Sequence, residues 1–369
     1  MKILFIAFYF EPFKGVGAKR ISYWAENIKA LNNNVKKVDV ITTNKDSNLT
    51  MFTSIDNIYN VLPDDSFTSS LFNIDSGGSW MLSLTDFLNK HLLENHYDFA
   101  VITGNPFGHF FIQKTFKKHK VKTIIDFRDP LALNPRIKNN FKNIIKKILF
   151  SYYEYKFIKW SFATVVVNKY CLNLIPSRKL FKNKFTIIDN GFDEKHLTKV
   201  IDRDIINDNL QFIYTGSLFV DRRSSQFVHN ILELSNAYIN FVGSSFDVVH
   251  SRIINHGKKP YLDTLQMISD SDIAIIFSTG YKFESTTKVF DYLALDKIIL
   301  VVSNIEIKEG ALFDILKNYP KVIFTSDSRE GVQEALIKIK RYQKNDVSLD
   351  SRKYSRNTGL KLFNKLLCG

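Results

Sequence analysis

The stretch FESTTKVFDYLALDKIILVV (283–302) sets a lysine and an aspartate, Lys288 and Asp291, three residues apart at a helix start, immediately ahead of a short apolar strand. On an exposed helix such a pair contributes only about 0.2–0.5 kcal/mol. Here it follows three hydroxyl side chains, Ser285, Thr286 and Thr287. A hydroxyl-rich helix start both caps the helix and suits an anion, because unpaired N–H groups and the positive end of the helix dipole converge there. Lys288 would point at the same anion. A carboxylate one turn later can accept hydrogen bonds from two vicinal hydroxyls, as acidic residues do with a ribose. The chemistry these residues suit is recognition of a phosphate joined to a sugar.

Two further segments suit the same ligand. In YFEPFKGVGAKRISYWAENI (9–28), Gly15 and Gly17 fall in a strand-to-helix turn, with Lys19 and Arg20 just inside the helix. Such a turn either cradles a phosphate or a sugar, or is simply a tight turn; the spacing is neither G-x-G-x-x-G nor that of a Walker loop. In FIYTGSLFVDRRSSQFVHNIL (212–232), Gly216 ends a strand, and Arg222 and Arg223 precede a helix. The planar guanidinium fork suits two phosphate oxygens of a diphosphate, though an arginine pair is also ordinary solvated surface. His109, in the aromatic loop NPFGHFF (105–111), sits after a strand where either packing or ligand contact is open to it.

The elements that must position these residues are legible as apolar, β-branched runs. A first series covers 2–10, 35–43, 98–104, 122–129, 162–168 and 184–191; a second covers 210–216, 238–244, 272–278, 297–303 and 321–326. Their near-continuous apolar character means burial on both faces, the signature of parallel sheets covered by helices. Helical stretches between them, such as 22–32 and 331–343, make βαβ units. The fold class expected is α/β with two doubly wound, Rossmann-like domains facing a central cleft. The domains are 1–192 and 210–345, joined by a polar linker over 193–209. A last segment, 346–369, carries a closing helix over 353–367.

Length and composition agree. A chain of 369 residues suits two domains, and 45% apolar with 24% charged residues is globular composition. Cys171 and Cys368 have no metal or redox spacing, so a reducing, cytoplasmic setting is expected and no metal site is assigned. MKILFIAFYF runs into EPFKG, so it is taken as a first strand, not a secretion signal. The net charge of +14 suits polyanions. Nucleic-acid binding would need basic residues interleaved with exposed aromatics, whereas these strands are apolar, so no nucleic acid is expected as partner.

In order along the chain, YFEPFKGVGAKR, TGNPFGHFFIQK, DFRDP, IDNGFD, YTGSLFVDRR and TTKVFDYLALDKIIL resemble the GT-B glycosyltransferases of the family-4-like group, of the type that builds bacterial surface polysaccharides. The resemblance spans nearly the whole chain. It implies a sugar transfer from a UDP- or GDP-type nucleotide sugar, retaining and metal-free, to a glycan or polyprenyl-linked acceptor. It also implies a C-terminal helix that crosses back to the first domain. On matching positions it implies Gly17 near the donor, Arg222 and Lys288 on its diphosphate, and Asp291 at the second acidic position of E-x7-E. His109 would contact donor sugar or acceptor, and Asp129, with Arg20, would lie on the acceptor side. The first Glu of that motif falls on Phe283, with Glu284 one residue off. A nucleotide-sugar 2-epimerase of the same fold is the alternative.

One segment bears on where such an enzyme works. From Lys114 to Lys147 there are eleven basic residues against two acidic ones, Asp126 and Asp129. Within 136–160, Ile137, Phe141, Ile144, Ile145, Ile148, Leu149 and Tyr152 recur at helical spacing, with Lys138, Lys142, Lys146 and Lys147 between them. This is the pattern of a basic amphipathic helix that lies on an anionic membrane, and equally of a domain helix with a solvated lysine face.

Overall fold

The computed structural model describes residues 1–13, 15–47, 49–64, 74–137, 140–201, 209–218, 225–243, 245–342 and 350–368. The chain forms two compact units, one of Met1–Asn190 with Arg356–Gly369, the other of Gly191–Ser355.

The first unit runs β1 (Lys2–Ala7), α1 (Val16–Leu31), β2 (Lys37–Thr42), β3 (Asn57–Asn60), α2 (Gly77–Glu94), β4 (Phe99–Thr103), α3 (Gln113–Lys118) and β5 (Lys122–Arg128). It continues through α4 (Phe141–Trp160), β6 (Ala163–Val166), α5 (Lys169–Asn173) and β7 (Phe185–Ile187). Its sheet is ordered β3-β2-β1-β4-β5-β6-β7, and every pairing is parallel. Alternation along β1 shows how one strand serves two cores. Leu4 and Ile6 pack with Trp80, Leu84, Phe110 and Phe157 from α2, α4 and the loop between β4 and α3. Ile3 and Phe5 face Ile21 and Trp24 of α1 on the other side, as the twofold periodicity of a strand requires.

The second unit comprises α6 (Glu194–Leu197), β8 (Gln211–Gly216), α7 (Ser225–Leu234), β9 (Tyr238–Gly243), β10 (Ile253–Gly257), α8 (Tyr261–Ser269) and β11 (Ile273–Phe277). Then come α9 (Lys288–Ala294), β12 (Ile298–Val302), α10 (Ala311–Leu316), β13 (Val322–Thr325) and α11 (Arg329–Ile339). Its sheet, β10-β9-β8-β11-β12-β13, is also wholly parallel and repeats the order of the first six strands of the other unit. Phe212 and Tyr214 join Phe227 and Val332 of α7 and α11, while Ile213 joins Leu265, Phe290 and Leu312 of α8, α9 and α10.

The segment after Asp193, read from its polarity as a linker, carries α6 and packs Leu197 and Val200 beside Phe192 against the second core. Residues 202–208 of that segment lie outside the described residues. α12 (Arg356–Cys368) belongs to the first unit, where Phe363 stacks on Trp24 at 4.6 Å and Leu360 lies against the same core.

Candidate functional site

Both sheets reverse their winding at one place, between β1 and β4 in the first unit and between β8 and β11 in the second. In doubly wound sheets the crevice beyond the carboxyl ends of the strands at such a switch point is where ligands bind.

In the second unit β8 ends there on Gly216, at φ +95°, and its neighbour β9 ends on Gly243, at φ +112°. A Cβ on Gly243 would stand 2.7 Å from the carbonyl oxygen of Gly216, so the two strand ends close together only as glycines. Lys288, the first residue of α9, holds its Nζ 3.5 Å from the centre of the Tyr214 ring. A Cβ on Gly216 would lie 3.8 Å from that Nζ. The buried Tyr214 face offsets the placing of a cation at a helix start, where the dipole disfavours it. Asp291, one turn on, accepts a hydrogen bond of 2.6 Å from the hydroxyl of Tyr261 on α8. The buried Tyr292 fixes α9 to the sheet, its hydroxyl accepting from the Thr215 N–H at 3.2 Å and donating to the Ile275 carbonyl at 3.4 Å. Lys288 is thus held beside the strand end by Tyr214, while Tyr261 orients Asp291 and Tyr292 ties α9 to the sheet.

The hydroxyl cap expected at Ser285, Thr286 and Thr287 differs from what forms. Thr287 is the N-cap, but its backbone is already helical at φ −67° and ψ −24°, and its side chain makes no capping bond. The N–H groups of Val289 and Phe290 donate to the carbonyls of Thr286 and Thr287 at 3.2 Å, so these two backbone donors are taken. Phe283 is buried beside Tyr281, and the buried Glu284 accepts the Thr279 hydroxyl at 2.6 Å. Neither presents the first acidic group of the E-x7-E pair. Arg222 and Arg223 lie outside the described residues.

In the first unit Gly15 is the N-cap of α1, at φ −79°. Gly17 serves space: a Cβ there would stand 2.8 Å from Nη1 of Arg128. Arg128 ends β5 in the left-handed region at φ +54° and donates to the Gly104 carbonyl, at the end of β4, at 3.3 Å. A non-glycine residue held there stores strain of the kind found at ligand sites. Asp129 follows it, half-exposed.

Arg20, expected on the acceptor side, turns inward. It is 5% exposed, with Nε 3.4 Å from Asp126, Nη1 on the Ile188 carbonyl at 2.9 Å, and its guanidinium 4.5 Å over Trp24. Burial lowers its pKa and Asp126 draws it back up, while burial raises Asp126 against the pull of Arg20 and Arg128. His109 has no exposed surface; Trp80 lies 4.9 Å from its ring, and burial drops its pKa to about 3, so the imidazole is neutral. That places it among the core aromatics.

Sequence reasoning passed over Arg128, Tyr214, Tyr261 and Gly243. For Gly243 a signal existed, since FVG and YTG end the first two strands of the second series alike. For Arg128 there was none, because its conformation arises where β4, β5 and α1 meet. Among the described residues no group of three or more His, Cys, Asp or Glu side chains is placed to hold a metal ion.

The sequence matches no protein-family model. It matches no curated protein. The structure, by contrast, superposes on solved structures over its whole length. Anabaena HepE, solved in complex with UDP and glucose, aligns with TM-score 0.67 at 10% identity, covering 100% of both chains. Sucrose-phosphate synthase from Thermosynechococcus elongatus aligns with TM-score 0.65 at 9% identity over 99% of this chain and 94% of its own. UDP-GlcNAc 2-epimerase from Methanocaldococcus jannaschii aligns with TM-score 0.60 at 12% identity over 100% of both. The fold is the GT-B architecture of two Rossmann-like domains.

Proposed function

We propose that this protein is a glycosyltransferase that moves a sugar from a nucleotide-diphosphate sugar, of UDP or GDP type, to a growing lipid-linked surface glycan. The observation that carries the reading is the placement of Lys288 beside Gly216 at the carboxyl end of β8, at the switch point of the second sheet, with Asp291 one turn further along α9. Lys288 meets the diphosphate and Asp291, oriented by Tyr261, meets the ribose. Gly216 leaves room for the ligand to approach the strand end. The resemblance of YTGSLFVDRR gives Arg222 and Arg223 to the same diphosphate.

The chemistry asked of these residues is modest. The bond to the anomeric carbon breaks as negative charge grows on the leaving diphosphate, and fixed cations placed where that charge develops supply about 3–4 kcal/mol each. No metal is needed in this scheme. The acceptor hydroxyl attacks on the face the diphosphate leaves and gives its proton to the departing phosphate oxygen, so configuration is retained; the resemblance gives Asp129, just after β5, to the acceptor. The work is done in the cytoplasm, at the inner face of the membrane.

A 2-epimerase is the second reading, supported by the full-length similarity to one. Incubation with UDP- and GDP-sugars, alone and with lipid-linked glycan acceptors, separates the two. Transfer predicts free nucleoside diphosphate and an acceptor heavier by one sugar. Conversion of the sugar at C2 without an acceptor contradicts it.

A further inference from the structure

Helix α4 wears its apolar stripe on the outside. Phe141, Ile144, Ile145, Ile148 and Tyr152 follow at i, i+3, i+4, i+7 and i+11, which is one face of a helix. They are 79, 50, 52, 68 and 54% exposed. In a helix that packs on a domain this stripe faces the core. Here the buried residues of α4 are Tyr153, Glu154, Phe157 and Ile158, all in its second half. The first half is well formed without a core beneath that stripe, since Asn140 caps it by accepting the Asn143 N–H at 2.9 Å.

The charge around the stripe says what covers it. Lys142 and Lys146 are exposed beside it, with Lys147 on its flank. From Pro130 to Trp160 the only acidic residue is Glu154, and it is buried, so this segment exposes no carboxylate. The 3₁₀ turn at Pro176–Lys179 packs against α4, and beside that turn an open groove of about 620 Å³ is lined by Arg178, Lys179 and Lys182. An apolar stripe whose exposed charged neighbours on α4 are all lysines matches acyl chains bounded by anionic phosphates.

We propose that the first half of α4 docks this protein on an anionic lipid bilayer, with Phe141, Ile144, Ile145 and Ile148 entering the headgroup boundary and Lys142, Lys146 and Lys147 meeting lipid phosphates. Among the described residues no helix is long and apolar enough to cross a membrane, so the contact is peripheral. It stands apart from the nucleotide-sugar reading, and either can fail alone.

The test is co-sedimentation of the full chain with vesicles of phosphatidylcholine alone or mixed with phosphatidylglycerol, at low and high salt. Binding at low salt should be at least about tenfold stronger to the anionic vesicles and should weaken with salt, because each lysine acts within a Debye length. The variant Lys142→Glu/Lys146→Glu/Lys147→Glu should lose it. So should Ile144→Ser/Ile148→Ser, whose charge is unchanged. Thermal unfolding like wild type confirms that both variants fold. Equal binding to neutral vesicles, binding that survives either variant, or self-association through this stripe without vesicle binding would overturn the proposal.

Discussion

Asp291 shows how a residue's role is set by its second partner. Its carboxylate is steadied by the Tyr261 hydroxyl at 2.6 Å, a bond the amide oxygen of asparagine can also accept. Asp291→Asn should therefore fold normally and bind the donor roughly 10- to 100-fold more weakly, since a charged acceptor is exchanged for a neutral one. Calorimetry with ribose- and deoxyribose-containing donors checks it: wild type prefers ribose and the variant does not. His109 presents the opposite case, a residue whose type suggested chemistry and whose place is core. Its folded pKa of about 3 lies below the ordinary 6.5, so as pH falls through that window the unfolded chain takes up a proton the folded one refuses. Stability is present above 6.5 and lost toward 3. His109→Phe should keep most activity and lose stability less steeply on acidification, read by urea unfolding at neutral and acidic pH. Lys288 and Asp291 stood out in sequence as candidates because hydroxyls, lysine and aspartate crowd one helix start ahead of a strand. Tyr214 and Arg128 did not, since what singles them out is contact with α9 in one case and with α1 and the end of β4 in the other.

Elements were read where burial leaves a mark. The eleven apolar runs all became strands, because strands covered on both faces carry few polar residues. The strands missed, β3 with NIYN and β10 with IINHG, are the outer edges next to β2 and β9, where one side of the ladder faces no partner and polar residues are tolerated. α4 was expected at 136–160 and begins at Phe141. It is tied to the loop after β5 by Glu154, which accepts the Ala132 N–H at 3.3 Å. Burial pushes that carboxyl from 4.5 up to about 8. A raised acid favours the fold while protonated, so stability should fall as pH rises from 4.5 to 8, by at most ~1.4 kcal/mol per unit. Glu154→Gln should flatten that slope in denaturant titrations at several pH values. α12 holds the first unit through the fully buried Phe363, which stacks on Trp24. Phe363→Ala should cost about 3–5 kcal/mol, seen as a lower midpoint of chemical unfolding.

At the scale of the whole molecule, the same strand order is used twice, and each copy brings a glycine-marked strand or helix start to its switch point. The net charge of +14 matches a protein that handles phosphates, and its densest basic segment lies in the first unit rather than around Lys288. The polar stretch after Asp193 carries α6, and Leu197 and Val200 pack it on the second core, since polarity marks exposure and does not preclude anchoring. The β8 end with Lys288 is proposed to hold the diphosphate of a nucleotide sugar. The direct test is calorimetric titration of UDP, GDP and their sugar conjugates into wild type and Lys288→Ala, with unfolding temperature followed in parallel. A donor at 100 times its dissociation constant should stabilise wild type by ~2.7 kcal/mol. Lys288→Ala should bind it at least about tenfold more weakly with its ligand-free unfolding temperature little changed. Wild type that binds none of these nucleotides, or a Lys288→Ala variant that binds them equally well, would contradict the account.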